Sequence, residues 1–250
     1  MGRPAGSRNP DFEVQRQRLL RAALVRLGQP DGSRASFREL AAATGVSVAT
    51  LRHYFESREQ LIEEALALTN TDGQRFLFEV ATGPLPSVRA SLGGLLAYLG
   101  LGFRSGLERI HALGIAAGMQ QERLGPAYLT QVLDPTLESI EARLARHVAR
   151  GELIAGDVRH MALALVAPPL LALLHQGVLG GVHTRPLSYE ALCEDHLNAF
   201  LRAFGTGHEA PAEPGAMLGP HARADSPGPD LRRTTAEALQ GNKGPKPPGR

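Results

Sequence analysis

The densest cluster of chemically capable side chains lies in GVSVATLRHYF, residues 45–55, where Thr50, Arg52, His53 and Tyr54 crowd into little more than one helical turn. Their hydroxyl, guanidinium, imidazole and phenol tips exchange hydrogen bonds, but they provide no nucleophile with its base and no metal-ligand spacing. Elsewhere the chain has no His-Glu-x-x-His, Gly-rich phosphate loop, Gly-x-Ser-x-Gly or paired cysteines. No catalytic residue, metal site or cofactor is therefore expected. The chemistry left to this cluster is recognition.

The residues around the cluster say how it is held. SFRE at 36–39 reads as a capping box, the Ser36 hydroxyl accepting from the Glu39 amide while Glu39 reaches back to the Ser36 amide. It starts a short helix over about 37–44. Gly45 can turn left-handed to end that helix, and Ser47 can cap the next one. Ser57 with Gln60 forms another box and opens a helix through about Leu68. On the helix begun by Ser47, Val48, Leu51 and Phe55 should face a core with Phe37, Leu40 and Ala41. Ser47, Ala49, Thr50, Arg52, His53 and Tyr54 are left outside. In a helix-turn-helix the second helix enters the DNA major groove, so Thr50 could meet a base edge or thymine methyl. Arg52 and Tyr54 could hold phosphates, and His53 could do either.

Composition agrees with a helical protein carrying a small basic head. The chain has 250 residues, 43% apolar, and a net charge of +2. Residues 1–60 hold ten arginines against six acidic groups, whereas 61–205 hold eleven basic and fourteen acidic groups. That polarity suits an anion-seeking head on a larger acidic body. The single cysteine, Cys193, excludes an internal disulfide, and MGRPAGSRNP lacks the apolar centre of a signal peptide, so a cytoplasmic location is expected. Helices are expected at 11–27, then at about 86–104, 107–121, 126–150, 157–180 and 188–204, with Asp134-Pro135 kinking or restarting the third of these later ones. The apolar run MALALVAPPLLALLHQGVLGG at 161–181 contains Pro168, Pro169, His175 and Gln176 and reads as a buried helix, with no membrane involved. From residue 206 onward, 15 of 45 residues are Gly or Pro, so a disordered tail is expected over 206–250.

The stretch SFRELAAATGVSVATLRHYFESREQLIEEAL resembles the DNA-binding module of the TetR/AcrR family of bacterial transcriptional regulators. RLARHVARGELIAGDV and HLNAFLRAFG are similar to that family's late-helix segments. The family commonly has Gly where this chain has Ala49, Tyr at Arg52, His at Tyr54 and Lys at Arg58. The resemblance implies an all-α fold: a flexible basic arm (1–10), a three-helix helix-turn-helix DNA-binding domain (11–56), and a helical ligand-binding and dimerisation domain (57–205). The implied partners are a double-stranded operator, a second copy of the chain, and a small apolar or amphipathic effector. Repression, rather than activation, follows from the resemblance alone.

The expected DNA-contacting set is Arg3, Arg8, Ser36, Ser47, Val48, Ala49, Thr50, Arg52, His53, Tyr54 and Arg58, with the arginines of the GRPAGSRNP arm aimed at a minor groove. Effector candidates are Phe76, Tyr98, Phe103, His111, Met119 and Tyr128, a mostly apolar set with a few polar tips, although an aromatic or Met at helical spacing is more often ordinary core. The helix over 157–180 is apolar nearly all round, which asks for a cover such as the same helix of a second subunit packed with 188–204. Two rival readings remain at this point: a helical protein-interaction module without DNA binding, and a small-molecule enzyme.

Overall fold

Residues 10–216 are described by a computed structural model, and among them the fold is all-α, with an isolated Leu153–Gly205 bridge and no strand. The first helices are α1 (Pro10–Leu27), α2 (Phe37–Thr44), α3 (Val48–Tyr54) and α4 (Arg58–Thr82). Their boundaries follow local chemistry. The Ser36–Glu39 box opens α2, Gly45 closes it at φ 73°, and the hydroxyls of Ser47 and Ser57 accept from the amides of Thr50 and Gln60. Each such cap contributes about 1 kcal/mol by satisfying an amide that the helix itself leaves open.

One core joins these helices to later parts of the chain. Leu19, Leu20, Ala23, Leu24 and Leu27 of α1 pack with Leu40, Leu51, Phe55, Leu61 and Ile62. The same cluster takes in Ile110 and Leu113 of α6 (Leu107–Gln120) and Leu124 of α7 (Leu124–Tyr128). The packing thus crosses residue 56, the expected end of the head. Val48, assigned inward from its spacing, is 37% exposed, because a helix of only two turns has room for Leu51 and Phe55 beneath it and little more.

A second core gathers Val80, Leu92, Leu95, Leu137, Leu144, Met161, Leu165, Leu197 and Phe200. These come from the far end of α4 and from α5 (Val88–Arg104), α8 (Asp134–Ala149), α9 (Val158–Leu173) and α11 (Tyr189–Phe204), the last preceded by the short α10 (Gly181–Thr184). The helix opened by Ser57 runs to Thr82, well past Leu68. Its apolar pattern lapses because the middle of α4 passes between the two cores. There Arg21 pairs with Asp72 at 3.0 Å, and arginines of α8 take the carbonyls at its end.

Arg143 and Arg146 of α8, with Arg150 just past its end, reach back toward the end of α4 and the turn after it. Arg143 is fully buried, donating to Ser91 Oγ at 2.6 Å, the Val80 carbonyl at 2.9 Å and the Pro84 carbonyl at 3.4 Å. Arg146 reaches the Ala81 and Gly83 carbonyls, and Arg150 the Leu85 carbonyl. The C-terminal carbonyls of α4, which have no partner within the helix, are satisfied by cations that also suit its dipole.

Prolines mark the irregular turns. Between α7 and α8 the chain makes a π-helical turn, Leu129–Leu133, with the Asp134 amide donating to the Leu129 carbonyl. Pro135 has no amide for the Gln131 carbonyl, and its ring needs the wider turn. In α9, Pro168 and Pro169 remove two helical donors. The Leu165 carbonyl freed by Pro169 instead accepts from His196 Nε2 at 3.0 Å, and a second π-helical turn, Leu174–Val178, comes next.

The expectation of disorder from 206 fails for residues 206–216, which are tied to the domain. Glu152, fully buried, accepts from the amides of Val88 and Ala210, and the Thr206 amide donates to the Glu152 carbonyl. Glu213 exchanges hydrogen bonds with the backbone of Leu85 and pairs with Arg146 at 3.2 Å. Composition predicted too little apolar burial, but this segment is held by polar bonds to buried partners. The rest of the expected tail, 217–250, lies outside the described residues.

Candidate nucleic-acid interface

α3 is the element that presents the polar cluster. Leu51 and Phe55 are 0% exposed and fix its inner side, while Ser47, Ala49, Thr50, Arg52 and His53 are exposed. Burying two such side chains stabilises the head by roughly 3–6 kcal/mol, enough to hold a helix that would not persist alone. The Ser47 hydroxyl lies 2.9 Å from the Thr50 hydroxyl as well as accepting from its amide. Thr50 is therefore held by its polar end at the start of the helix.

Aromatic rings flank the helix. The Arg52 guanidinium lies over the Phe37 ring at 5.4 Å. Tyr54, half-buried, stacks on Phe12 with centroids 4.7 Å apart, and His53 meets Phe12 edge-on at 5.6 Å. Phe12 was missed from the sequence because it lies some forty residues away on α1, with no local signal linking it to α3.

Other members of the expected set take varied positions. Ser36 is exposed at the start of α2, its hydroxyl donating to Glu39 at 2.7 Å; those bonds from Ser36 hold the Glu39 carboxyl below its usual range. Arg58 is turned inward: Nε donates to the Ala35 carbonyl at 2.6 Å and Nη2 to the Ser33 carbonyl. It braces the turn before α2 instead of offering a free cation, since the buried Ala35 backbone needs a donor there. Arg34 and Arg38, absent from the expected set, are exposed at the turn before α2 and in its first turn. Arg3 and Arg8 lie outside the described residues.

A capped helix, a left-handed glycine turn and a second short helix with its polar side open to solvent form a helix-turn-helix suited to a major groove. Residues 19–65 match the family of bacterial regulatory proteins described as the tetR family. The head of this chain is a TetR-family DNA-binding domain. It thus has the helix-turn-helix of a DNA-binding transcriptional regulator, and proteins of this family are regulators rather than enzymes. No curated relative matches the sequence.

Solved structures share the fold across both halves of this chain. A TetR-family transcriptional regulator from Mesorhizobium loti is similar over 79% of this chain and 100% of its own, at 20% identity and a TM-score of 0.64. Salmonella enterica GusR is 24% identical over 76% of this chain and 96% of its own, with a TM-score of 0.57. SmeT, the repressor of the Stenotrophomonas maltophilia multidrug efflux pump SmeDEF, is 17% identical over 82% and 94%, with a TM-score of 0.55.

In the larger domain, a cavity of about 20 Å³ opens among α5, α6, α8, α9 and α11, with Phe103, His111, Leu133, Thr136, Pro169 and Tyr189 among its walls. Of the effector candidates, Phe103 and His111 line it, their rings stacked at 5.4 Å. Tyr128 stands behind His111, with Oη 2.7 Å from Nδ1. The ring of Tyr128 lies so close to α6 that a Cβ at Gly114 would come within 2.1 Å of it. Phe76 and Tyr98 stack on each other at 3.6 Å and are not among the walls. Met119 is 84% exposed and belongs to the surface, because α6 ends one residue later and nothing covers that side. Pro169, Leu170 and Tyr189 were missed because their helices read from sequence only as a dimer surface.

Burial pushes the His111 imidazole down to about 4 and the Tyr128 phenol up to about 12. His111 is thus neutral in the folded chain at pH 7. Below about 6.5 the unfolded chain takes up a proton that the folded chain refuses, so folding loses roughly 3 kcal/mol from this group as pH falls from 6.5 to 4. We expect His111→Phe to flatten the decline of urea-unfolding stability over that range, whatever its stability at pH 7. An unchanged slope would assign the acid sensitivity to other groups.

Proposed function

We propose that this chain is a transcriptional repressor that binds a palindromic operator as a homodimer and leaves it when a small apolar or amphipathic effector binds. The observation that carries the reading is the outward side of α3, where Thr50, Arg52 and His53 stand exposed above the buried Leu51 and Phe55. In this reading Thr50 and Ala49 meet base edges, while Arg52 and Tyr54 hold phosphates.

The partner that doubles the site is a second copy. On α9, Leu163, Ala164, Ala167, Pro168 and Leu171 form one exposed stripe, and Leu171 is 65% exposed. The apolar segment Val158–Val178 has only 33% of its most apolar stretch buried within the chain. An isologous pairing of α9 and α11 would cover this surface and set two copies of α3 on successive major grooves. The effector would enter the cavity beside His111 and Phe103, which holds about one water molecule's volume as it stands. Opening it would move α6, which shares a core with the head, and shift the population away from the spacing that fits DNA. Repression is carried over from the family and from SmeT's role.

Selection of bound fragments from random duplex DNA tests the reading, since a dimer returns inverted half-sites about ten base pairs apart, centre to centre. Arg52→Ala is expected to weaken binding alike on selected and unrelated sequences and to lower the salt dependence by about one phosphate contact. Arg52→Ala and Thr50→Ala variants that bind like the parent would remove α3 from the interface and favour a protein-interaction role.

A further inference from the structure

We infer that Phe12 is a positioning residue for DNA binding, setting the rings of His53 and Tyr54 before a duplex arrives. The inference rests on the proposed role of α3 and adds a residue from outside the helix-turn-helix.

α3 has only seven residues, and Tyr54 is its last; the chain leaves helical geometry at Phe55, φ −135°. The end of so short a helix frays readily, and side chains on successive helical residues point about 100° apart. Nothing within α3 therefore holds both rings in one arrangement. Phe12, in the first turn of α1, does so from outside. Its face lies on Tyr54 at 4.7 Å with planes 25° apart, and its ring meets His53 at 5.6 Å and 88°. His53 and Tyr54 are also edge-on to each other at 5.3 Å, which closes a three-ring cluster. Offset stacking and edge-to-face contact are the favoured arrangements for such rings.

The cluster sits at the margin of the main core, against which Tyr54 packs while Phe12 and His53 are not among its members. Phe12 and Tyr54 are half-buried and His53 is exposed, whereas the head is already anchored by Leu51 and Phe55 at 0% exposure. What Phe12 contributes is order in two side chains that carry hydrogen-bonding tips on the outward side of α3. A side chain already fixed loses less freedom when it docks, and two such rings correspond to about tenfold in affinity.

The experiment uses the full chain and a labelled duplex recovered by the random-DNA selection, titrated with wild type, Phe12→Ala, Phe12→Leu and Phe12→Tyr. Phe12→Leu keeps apolar bulk but loses the flat face, and thermal melts report whether each variant remains folded. The expected result is about tenfold weaker binding for Phe12→Ala and Phe12→Leu, and recovery to within about twofold in Phe12→Tyr. In a chain that already carries His53→Ala and Tyr54→Ala, adding Phe12→Ala should cost less than about twofold, because the rings it positions are gone. If wild type binds and the Phe12 variants bind equally well, this inference falls alone. It falls also if Phe12→Ala costs as much without the two rings as with them, since Phe12 then acts through folding. Wild-type protein that retains no duplex overturns the DNA-binding reading and this inference with it.

Discussion

Arg143→Met is expected to lower folding stability by about 3–5 kcal/mol, read as a large fall in the urea midpoint at pH 7. The reason lies in what the guanidinium does at 0% exposure. It satisfies the carbonyls of Val80 and Pro84 and the hydroxyl of Ser91, and so ties the end of α4 to the start of α5 and to α8. Methionine has similar bulk but no donor, so Val80 and Pro84 near the end of α4 would be left without the partner that burial demands. The burial that makes these bonds strong also lowers the Arg143 pKa to about 10, which leaves it charged at neutral pH. Arg143→Lys keeps a charge but lacks the planar fork that reaches several acceptors, and should recover less than half of the loss. Since a domain's whole stability is roughly 5–15 kcal/mol, the methionine variant should sit close to its unfolding transition at growth temperatures. A midpoint shift worth less than about 1 kcal/mol would mean that the corner is held by packing and that Arg143 is replaceable.

The second large effect is expected at the proposed dimer surface. Leu171→Glu places a charge at the C-terminal end of the exposed α9 stripe, where an isologous partner would bury the substitution twice. Light scattering after gel filtration should then report a monomer. Binding to a full operator should fall by about 100-fold or more, because the second half-site contributes through linkage to the first rather than through new contacts. Affinity for a single half-site should stay near the parent value, since α3 is untouched. This pairing of results separates a lost partner from a damaged head. A dimeric Leu171→Glu protein with full operator affinity would place the interface elsewhere.

Whatever depends on neighbours three or four residues apart was legible in the chain before folding. The Ser36–Glu39 box, the Gly45 corner, the Ser47 and Ser57 caps and the buried side of α1 are all local bonds or helical periodicities, and they bound α2 and fix where α3 and α4 begin. That was enough to specify an all-α chain with a helix-turn-helix and to place Thr50, Arg52 and His53 outside. Folding settled the rest, because a side chain's final partner can come from any distance along the chain. It turned Arg58 inward onto Ala35, brought Phe12 against Tyr54, carried α4 on to Thr82 with arginines of α8 at its end, and fastened residues 206–216 through Glu152 and Glu213. It also put Pro169 and Tyr189, rather than Met119, beside His111. Cavity walls come from helices that meet only after folding, and no spacing within one helix records which of its sides will meet them.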